Sequence, residues 1–576
     1  MNPELLLAHF DSISEAPDAI PRLRSFVLDL AVRGKLVEQD SNEEPASKLI
    51  GRIQAEKARL VKEGKIRKQI PQPDIEPASS PFLLPKGWIW VRLGDVIQLL
   101  SGQHLQPGEY SEQKDGGLPY ITGPADFGKN GLVITRHALV KKAIAKKGQI
   151  LLTVKGAGVG KTALCNLPEV AISRQLMAMT AIEWSQQFLL LTTHRLATAL
   201  IESARSLIPG ISREDVDQFI FPLPPLAEQH RIVIKVDELM ALCDQLETVR
   251  AERDGRRDRL AAATHHYLNN GTNAEAFRTH ANFFLNHLPR LTTGVAHIQD
   301  LRQTILTLAV RGQLVLQDSA DEPASELLKR IQAEKARLTK EGSLRKEKPL
   351  PPIDEDKIPF VLPISWAWAK IGTCSLLTEY GTSVKSDAHE DGVPVLAMGD
   401  IQDGRVILGE RKKVPFQIED LPRLFLNRFD LLYNRTNSAD LVGKTGIFLG
   451  GDDTYTFASY LIRIRFLGNL TSPMYANLAM NAPYFRATQI IPELQQQCGQ
   501  ANVNGTKLRN MLIPLPPLAE QRRIVTKVDE LMVLCDGLER QLIEANAKSS
   551  GLLEAILHHA LNDSHRAIDE RSAVHA

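Results

Sequence analysis

The feature that most constrains this chain is a stretch it contains twice. Residues 222–247 read PLPPLAEQHRIVIKVDELMALCDQLE, and residues 514–539 read PLPPLAEQRRIVTKVDELMVLCDGLE. A repeat of this kind makes the fold a repetition of one unit and precedes any assignment of elements. In each copy the prolines cannot continue a strand ladder but suit a first helical turn, and Glu228 or Glu520 follows where a carboxylate meets the positive end of a helix. Ile232, Val236, Leu239, Cys243 and Leu246 then recur at alternating four- and three-residue spacing, and Ile524, Val528, Leu531, Cys535, Leu538 and Leu542 repeat the stripe. That is the narrow seam of a coiled coil. The pattern predicts helices running to His265–Asn269 and to His558–Asn562, about 40 residues or roughly 60 Å each. Two such rods in one chain are expected to pair.

The duplication reaches beyond the helix. Residues 23–68 match residues 301–346 without a gap at roughly two-thirds identity, and Leu7, His9 and Ile20 find Leu285, His287 and Ile298 at the same offset. The chain is two tandem halves meeting near residue 275. In each half a helix ends at the glycine of LAVRG (Gly34, Gly312) and a second starts at the proline of EPAS (Pro45, Pro323). A basic, proline-containing connector follows, Lys62 to Pro73 and Lys340 to Pro352, whose charge run reads as a solvated face that could also touch nucleic-acid phosphate. Trp88 and Trp90, like Trp366 and Trp368, alternate as in a strand entering a new domain.

Between those tryptophans and the PLPP motif the halves diverge. Residues 91–221 and 369–513 share only a skeleton: PYIT against PVLA, GQILLTVK against FDLLYNRT, GKTAL against GKTGI, AISRQLMAM against FASYLIRIR. Short β-rich runs between Gly, Asp and Asn loops predict mixed α/β domains. The expected order is a helical region 1–80, an α/β domain 81–221, a long helix 222–275, a second helical region 276–358, a second α/β domain 359–513, a second long helix 514–565 and a tail 566–576. A held frame around two divergent domains suggests one architecture with two different readers.

A chain of 576 residues exceeds a single core, and its net charge of +1 gives no overall polyelectrolyte signal. Any nucleic-acid contact must come from local basic patches or from partner subunits. Five cysteines without CxxC spacing argue for reduced thiols, and Cys243 and Cys535 occupy matching seam positions where a small apolar side chain suffices. With neither a leader nor an apolar stretch of about 18 residues, a cytoplasmic protein is expected.

Several motifs imitate catalytic ones. Val154–Thr162, VKGAGVGKT, fails as a phosphate-binding P-loop because glycine would be needed at Lys155. As a nucleotide or S-adenosylmethionine loop it lacks a following helix, since Pro168 intervenes, and has no acidic residue about 20 positions on. The matching segment Arg435–Lys444 loses most of the glycines, which argues against a shared cofactor loop. Glu63-Gly64-Lys65 resembles a nuclease triplet but reads as a helix C-terminus, and Ser343 replaces the lysine in the other half. No Asn/Asp-Pro-Pro-aromatic methyltransferase tetrad is present. The histidine pairs 265/266 and 558/559 lie on different helix faces, which disfavours a shared metal.

With PLPPLAEQ before a heptad helix, twice, around variable domains, and with LAVRGKLV and EPASKLIGRIQAEKARL ahead of them, the chain resembles the DNA-specificity subunits of type I restriction-modification systems. The N-terminal segments look most like the type IB subgroup. The resemblance implies an α+β fold: two target-recognition domains separated by long helices that pair as an antiparallel coiled coil, with pseudo-twofold symmetry. It implies a non-catalytic subunit in which each domain reads half of a bipartite double-stranded DNA site. The helices would set the spacer and dock two methyltransferase subunits, which restriction/motor subunits then join. S-adenosylmethionine and ATP/Mg would belong to those partners, and no metal to this chain. Loop-borne Arg, Lys, Asn and Gln are the candidate contacts to bases or phosphate: Lys129, Asn130, Lys155, Lys161, Arg174 and Gln175 in the first domain, Arg405, Arg435, Asn437 and Lys444 in the second. The alternative is a protein-binding scaffold or adaptor without DNA specificity.

Overall fold

The computed structural model describes residues 13–66, 75, 82–113, 116–156, 158–193, 210–270, 274–388, 391–497 and 500–562. Leu7, His9, connector residues 67–73 and the tail 566–576 lie outside them. The chain divides into two compact units, Met1–Glu252 with Asn546–Ala576, and Arg253–Ala545. Each of the two 45-residue helices, Leu226–Asn270 and Leu518–Asn562, contributes one part to each unit. The start of the first shares a unit with the end of the second, and conversely, the order that antiparallel helices require.

In the first unit, helix α1 (Ala19–Val32) buries Phe26, Val27, Leu30 and Ala31. The chain leaves it through Gly34, whose φ of +65° and whose approach to Pro85, 2.4 Å from where a Cβ would stand, both demand glycine. Helix α2 (Ala46–Lys62) starts after the extended Pro45 and buries Ala46, Leu49 and Ile53. The α/β domain follows. Its strands are β1 (Ile89–Arg92), β2 (Ile97–Ser101), β3 (Leu118–Ile121), β4 (Ile150–Thr153), β5 (Thr162–Leu164), β6 (Glu169–Ile172), β7 (Leu176–Ala181) and β8 (Ile220–Leu223). Strands β5-β4-β7-β2 form an antiparallel sheet, and β3 and β6 form a parallel pair in a second sheet. Entry strand β1 pairs antiparallel with exit strand β8, Ile89 against Leu223 through Arg92 against Ile220.

The second unit repeats this plan. Helices α3 (Ala274–Leu291), α4 (Val295–Val310) and α5 (Ala324–Lys340) precede strands β9 (Ala367–Lys370), β10 (Ser375–Tyr380), β11 (Val393–Leu396), β12 (Leu431–Asn434), β13 (Thr436–Asn437), β14 (Thr445–Ile447), β15 (Thr456–Phe457), β16 (Leu461–Phe466), β17 (Gln495–Gln497), β18 (Gln500–Asn502) and β19 (Leu512–Leu515). Entry strand β9 pairs with exit strand β19, and β11 with β15 in parallel. Gly312 repeats Gly34, with φ +69° and Pro363 2.6 Å from a Cβ.

The PLPPLAEQ motif ties these pieces together. Glu228 stands in the first turn of the long helix, and its buried carboxylate accepts from Trp88 Nε1 at 2.9 Å and from Gln39 Nε2 at 2.6 Å. Glu520 accepts from Trp366 Nε1 at 3.0 Å. The neighbouring Gln229 accepts from the Ser185 backbone N–H and donates to the Pro224 carbonyl, and Gln521 does the same with Ser472 and Pro516. Domain entry, domain exit and helix start are thus one hydrogen-bonded joint in each half.

The long-helix stripe has two kinds of neighbour. Ile232 and Val236 are buried in one core with Val27 and Ala31 of α1 and Leu49 and Ile53 of α2, and Leu239 packs on it. Ile524, Val528 and Cys535 are buried with residues of α4 and α5, and Leu531 and Leu538 pack on them. Cys243 is buried and Leu246 exposed. In each unit the two long helices pack together with the short helix of that half, which touches both. Arg24 of α1 pairs with Asp244 and Glu247 at 2.7 and 2.6 Å, while Arg22 meets Glu554 at 3.1 Å and Phe26 and Leu30 pack on Leu553, Ile556 and Leu557. In the second unit Arg302 of α4 pairs with Asp536 and Glu539, both at 2.7 Å, and Thr304 Oγ1 lies 2.9 Å from Nδ1 of the buried His265.

Candidate nucleic-acid interface

Four loops converge at one end of the first α/β domain, and main-chain hydrogen bonds fix them to each other. Gly102 N–H donates to Leu176 O at 2.9 Å, Gln103 N–H to Ile172 O at 3.0 Å, Ser173 N–H to Ile121 O at 3.0 Å and Val154 N–H to Gln175 O at 2.8 Å. The crossing is so close that a Cβ on Gly102 would lie 1.9 Å from Ser173 O. Irregular backbone bonded in this way presents its side chains outward from a rigid base, the arrangement a recognition surface needs.

The candidates of the first domain sit here or beside it. Lys155 and Lys161, both exposed, flank the β4–β5 connection, and exposed Arg174 and Gln175 occupy the β6–β7 connection bonded to it. Lys129 and Asn130 form the exposed tip of a neighbouring hairpin, Phe127–Gly128 with Gly131–Leu132, whose base is tied to Thr122 through Asp126. The glycine-rich run between β4 and β5 joins two antiparallel strands, so the strand-to-helix geometry of a dinucleotide loop is not there.

The second domain builds the same crown from different residues. Gly381 N–H donates to Leu461 O, Thr382 N–H to Phe457 O at 2.9 Å and Ser459 N–H to Thr382 O at 2.9 Å, and a Cβ on Gly381 would lie 2.2 Å from Phe457 O. Arg435 is half-buried here: its guanidinium stacks 4.9 Å from the Tyr380 ring centroid and Nη1 donates to Ser459 O at 3.3 Å. These contacts make Arg435 a brace of the crown. Asn437 lies half-buried in β13, paired with Ala501, while Lys444 is exposed at the end of the same connection. Arg405 is exposed but pairs with Ile447, at the other end of the strand that Lys444 precedes. Sequence reasoning missed Gln103, His104 and Tyr460, exposed on these loops, and Tyr380, exposed at the end of β10. The signal was there: Ser-Gly-Gln and Tyr-Gly-Thr align around Gly102 and Gly381.

Burial dominates the electrostatics of the joints. It pushes Glu228 and Glu520 above the usual carboxylate range, and their tryptophan hydrogen bonds oppose this only in part. Burial likewise pushes His265 below the usual imidazole value.

Two α/β domains with loop crowns of one design and different side chains, each joined to a repeated helical frame, define a paired-domain recognition protein. The family model described as the type I restriction modification DNA specificity domain matches residues 85–253 and 379–545. The chain is 33% identical over 576 residues to the type I restriction enzyme EcoEI specificity subunit of Escherichia coli, covering 94% of each, and 33% identical over 577 residues to the EcoAI specificity subunit of the same organism, again covering 94% of each. A crystal structure of the HsdS subunit from Thermoanaerobacter tengcongensis aligns with TM-score 0.41 and 19% identity, over 84% of this chain and 98% of that one. The chain belongs to the family of type I restriction-modification DNA-specificity subunits. It is a non-catalytic subunit with two target-recognition domains.

Proposed function

We propose that each loop crown reads one half of a bipartite DNA site, and that the two long helices set the gap between the halves and dock two methyltransferase subunits. The observation that carries this reading is the pair of crowns: the same backbone crossing at Gly102 and Gly381, with Lys155, Lys161, Arg174 and Gln175 on one and Tyr380, Arg435, Lys444 and Tyr460 on the other. A frame that repeats while its exposed loops change is what two half-sites of different sequence require. Each helix, 45 residues long, reaches roughly 68 Å at 1.5 Å per residue, longer than the ~34 Å of one DNA turn. Restriction/motor subunits complete the complex. S-adenosylmethionine and ATP/Mg belong to the partners, and flipping of the target adenine to the methyltransferase subunit. The LAVRGKLV and EPASKLIGRIQAEKARL segments support placement in the type IB subgroup. The reading places the complex on cytoplasmic DNA; no helix among the described residues is long and apolar enough to cross a membrane.

The test is single-molecule sequencing of genomic DNA from cells expressing this chain with its cognate methyltransferase subunit, against cells lacking this chain. N6-methyladenine at one bipartite motif of fixed gap is the expected result. A stable, active complex that methylates without sequence preference would overturn the reading.

A further inference from the structure

We propose that the connector between α5 and β9 is a phosphate-holding strap, whose basic residues grip the DNA backbone beside the second half-site without reading bases. This rests on the proposed reading of half-sites and adds a contact surface outside the crown.

The connector lines an open groove of about 1470 Å³ that runs from the end of α5 to the crown. One wall is β10, the edge strand of its sheet, up to Tyr380 and Gly381, where the crown begins. The other is the connector itself, from Ser343 to Ile353. Three contacts fix it in place. Arg509 Nη2 donates to Glu347 Oε2 at 2.6 Å, Lys370 Nζ donates to Pro351 O at 2.8 Å, and Leu350 Cδ1 lies 2.9 Å from where a Cβ on Gly372 would stand. Pro349, Pro351 and Pro352 stiffen the same segment, each ring fixing its φ. A strap held in this way presents its remaining side chains at set positions.

Those side chains are cationic. Lys340, Arg345, Lys346 and Lys348 are exposed and line the groove, and no carboxylate among the described residues pairs with them. The two acidic residues of the lining are already committed: Glu347 to Arg509 and, at 3.8 Å, to Lys335, and Glu379 to Arg463 and, at 3.1 Å, to Arg423. The acidic run Asp354–Asp356 that follows does not line the groove. Its unpaired charge is therefore all positive, which fits a polyanion. An acidic protein segment would match the charge equally, but the groove opens onto Tyr380 and Gly381, so its continuation is the surface assigned to the second half-site. Lysine and arginine outside the bases hold phosphate whatever the sequence. Arg345 to Lys348 span at most about 10 Å of chain, the length of about three phosphates of one strand at ~3.4 Å each.

The test uses the purified complex with its methyltransferase subunit and duplexes carrying the motif found by sequencing. In R345A/K346A/K348A the slope of log affinity against log salt should fall by up to about 2.7, roughly 0.9 for each cation, equally on specific and unrelated DNA. The methylated motif should keep the same bases in both half-sites. Single phosphates within about one helical turn of the second half-site are then replaced by uncharged methylphosphonates. Wild-type binding should weaken at about three positions outside the recognised bases, and the same replacements should have no further effect in the variant. An unchanged slope, or a wild-type complex indifferent to every replacement, overturns the strap. A variant that sheds its methyltransferase subunit while the wild type ignores the replacements also overturns it, and marks the groove as a protein-docking surface. The wild-type replacement series decides the matter even where the variant fails to assemble. A wild-type complex with no bipartite motif at all overturns the underlying reading instead.

Discussion

The joint between Trp366 and Glu520 offers the sharpest test of how the frame holds a recognition domain. Trp366→Phe keeps an aromatic ring but removes the Nε1 donor that bonds Glu520 Oε2 at 3.0 Å. Both side chains are buried, and the other carboxylate oxygen has no hydrogen-bond partner among the described residues. Leaving a buried charged group without its donor costs about 1.5–3 kcal/mol, and the smaller ring forfeits about 1–2 kcal/mol of packing. The expected loss is about 3–5 kcal/mol. Trp88→Phe should cost about 1 kcal/mol less, because Gln39 still donates to Glu228 at 2.6 Å. Urea unfolding followed by circular dichroism, with equal m values confirming the same transition, measures both. The decisive quantity is the coupling in a W366F/E520Q cycle, expected at about 1.5–3 kcal/mol; a coupling below about 0.5 kcal/mol refutes the reasoning. The pH dependence follows from the same burial. Glu520 has a folded-state pKa raised above 4.5, so its protonated form favours the fold. That contribution is full below the unfolded value and is lost as pH rises through the raised one. E520Q should therefore gain on the wild type as pH increases across that window.

Gly312→Ala and Gly34→Ala should each cost more than the ~1–2 kcal/mol of left-handed strain, because Pro363 and Pro85 crowd the new methyl. Gly342→Ala and Gly64→Ala, at similar φ with nothing within 4 Å, should cost the strain alone, and denaturant midpoints separate the pairs. Arg24→Ala and Arg302→Ala remove ion pairs with exposed carboxylates and should change stability by less than about 1 kcal/mol each; a larger loss would show the pairs acting as a buried network. In the assembled complex, K155A/K161A should lower the slope of log affinity against log salt by up to about 2, equally for specific and unrelated DNA. An unchanged slope would remove both lysines from the phosphate contacts. His265, with its pKa lowered by burial, favours the fold while neutral. The wild type should thus lose stability relative to His265→Gln as pH falls below about 6.5, and parallel pH curves for the two proteins would contradict this.

Much of the fold was legible because repetition is a statement about sequence alone. The LAVRG and EPAS boundaries fell within a residue or two of the ends of α1 and α2, since a left-handed glycine and an extended proline are local conformational requirements. The long helices likewise followed from periodicity. Their neighbours did not: a stripe of apolar side chains specifies that a face is covered, not by what, and only tertiary packing brought α1, α2, α4 and α5 onto Ile232, Val236, Ile524 and Val528. The PLPPLAEQ glutamate stands in the first helical turn, as its position in the sequence predicts; that it is also a buried acceptor for a tryptophan 140 residues earlier in one half and 154 in the other came only from the tertiary structure.

The candidate site divides along the same line. Lys155, Lys161, Arg174 and Gln175 could be picked out because they sit in loops between strong strands. That Arg435 braces Tyr380 and that Gly102 and Gly381 mark the crossing of two loops are consequences of long-range pairing. By itself the sequence determined a duplicated α+β chain with two long helices, two divergent domains and a family. Which side chains face outward from the crowns was decided by the tertiary structure, because hydrogen bonds between residues distant in the chain, such as Val154 to Gln175 and Val503 to Arg435, leave no periodic trace in sequence.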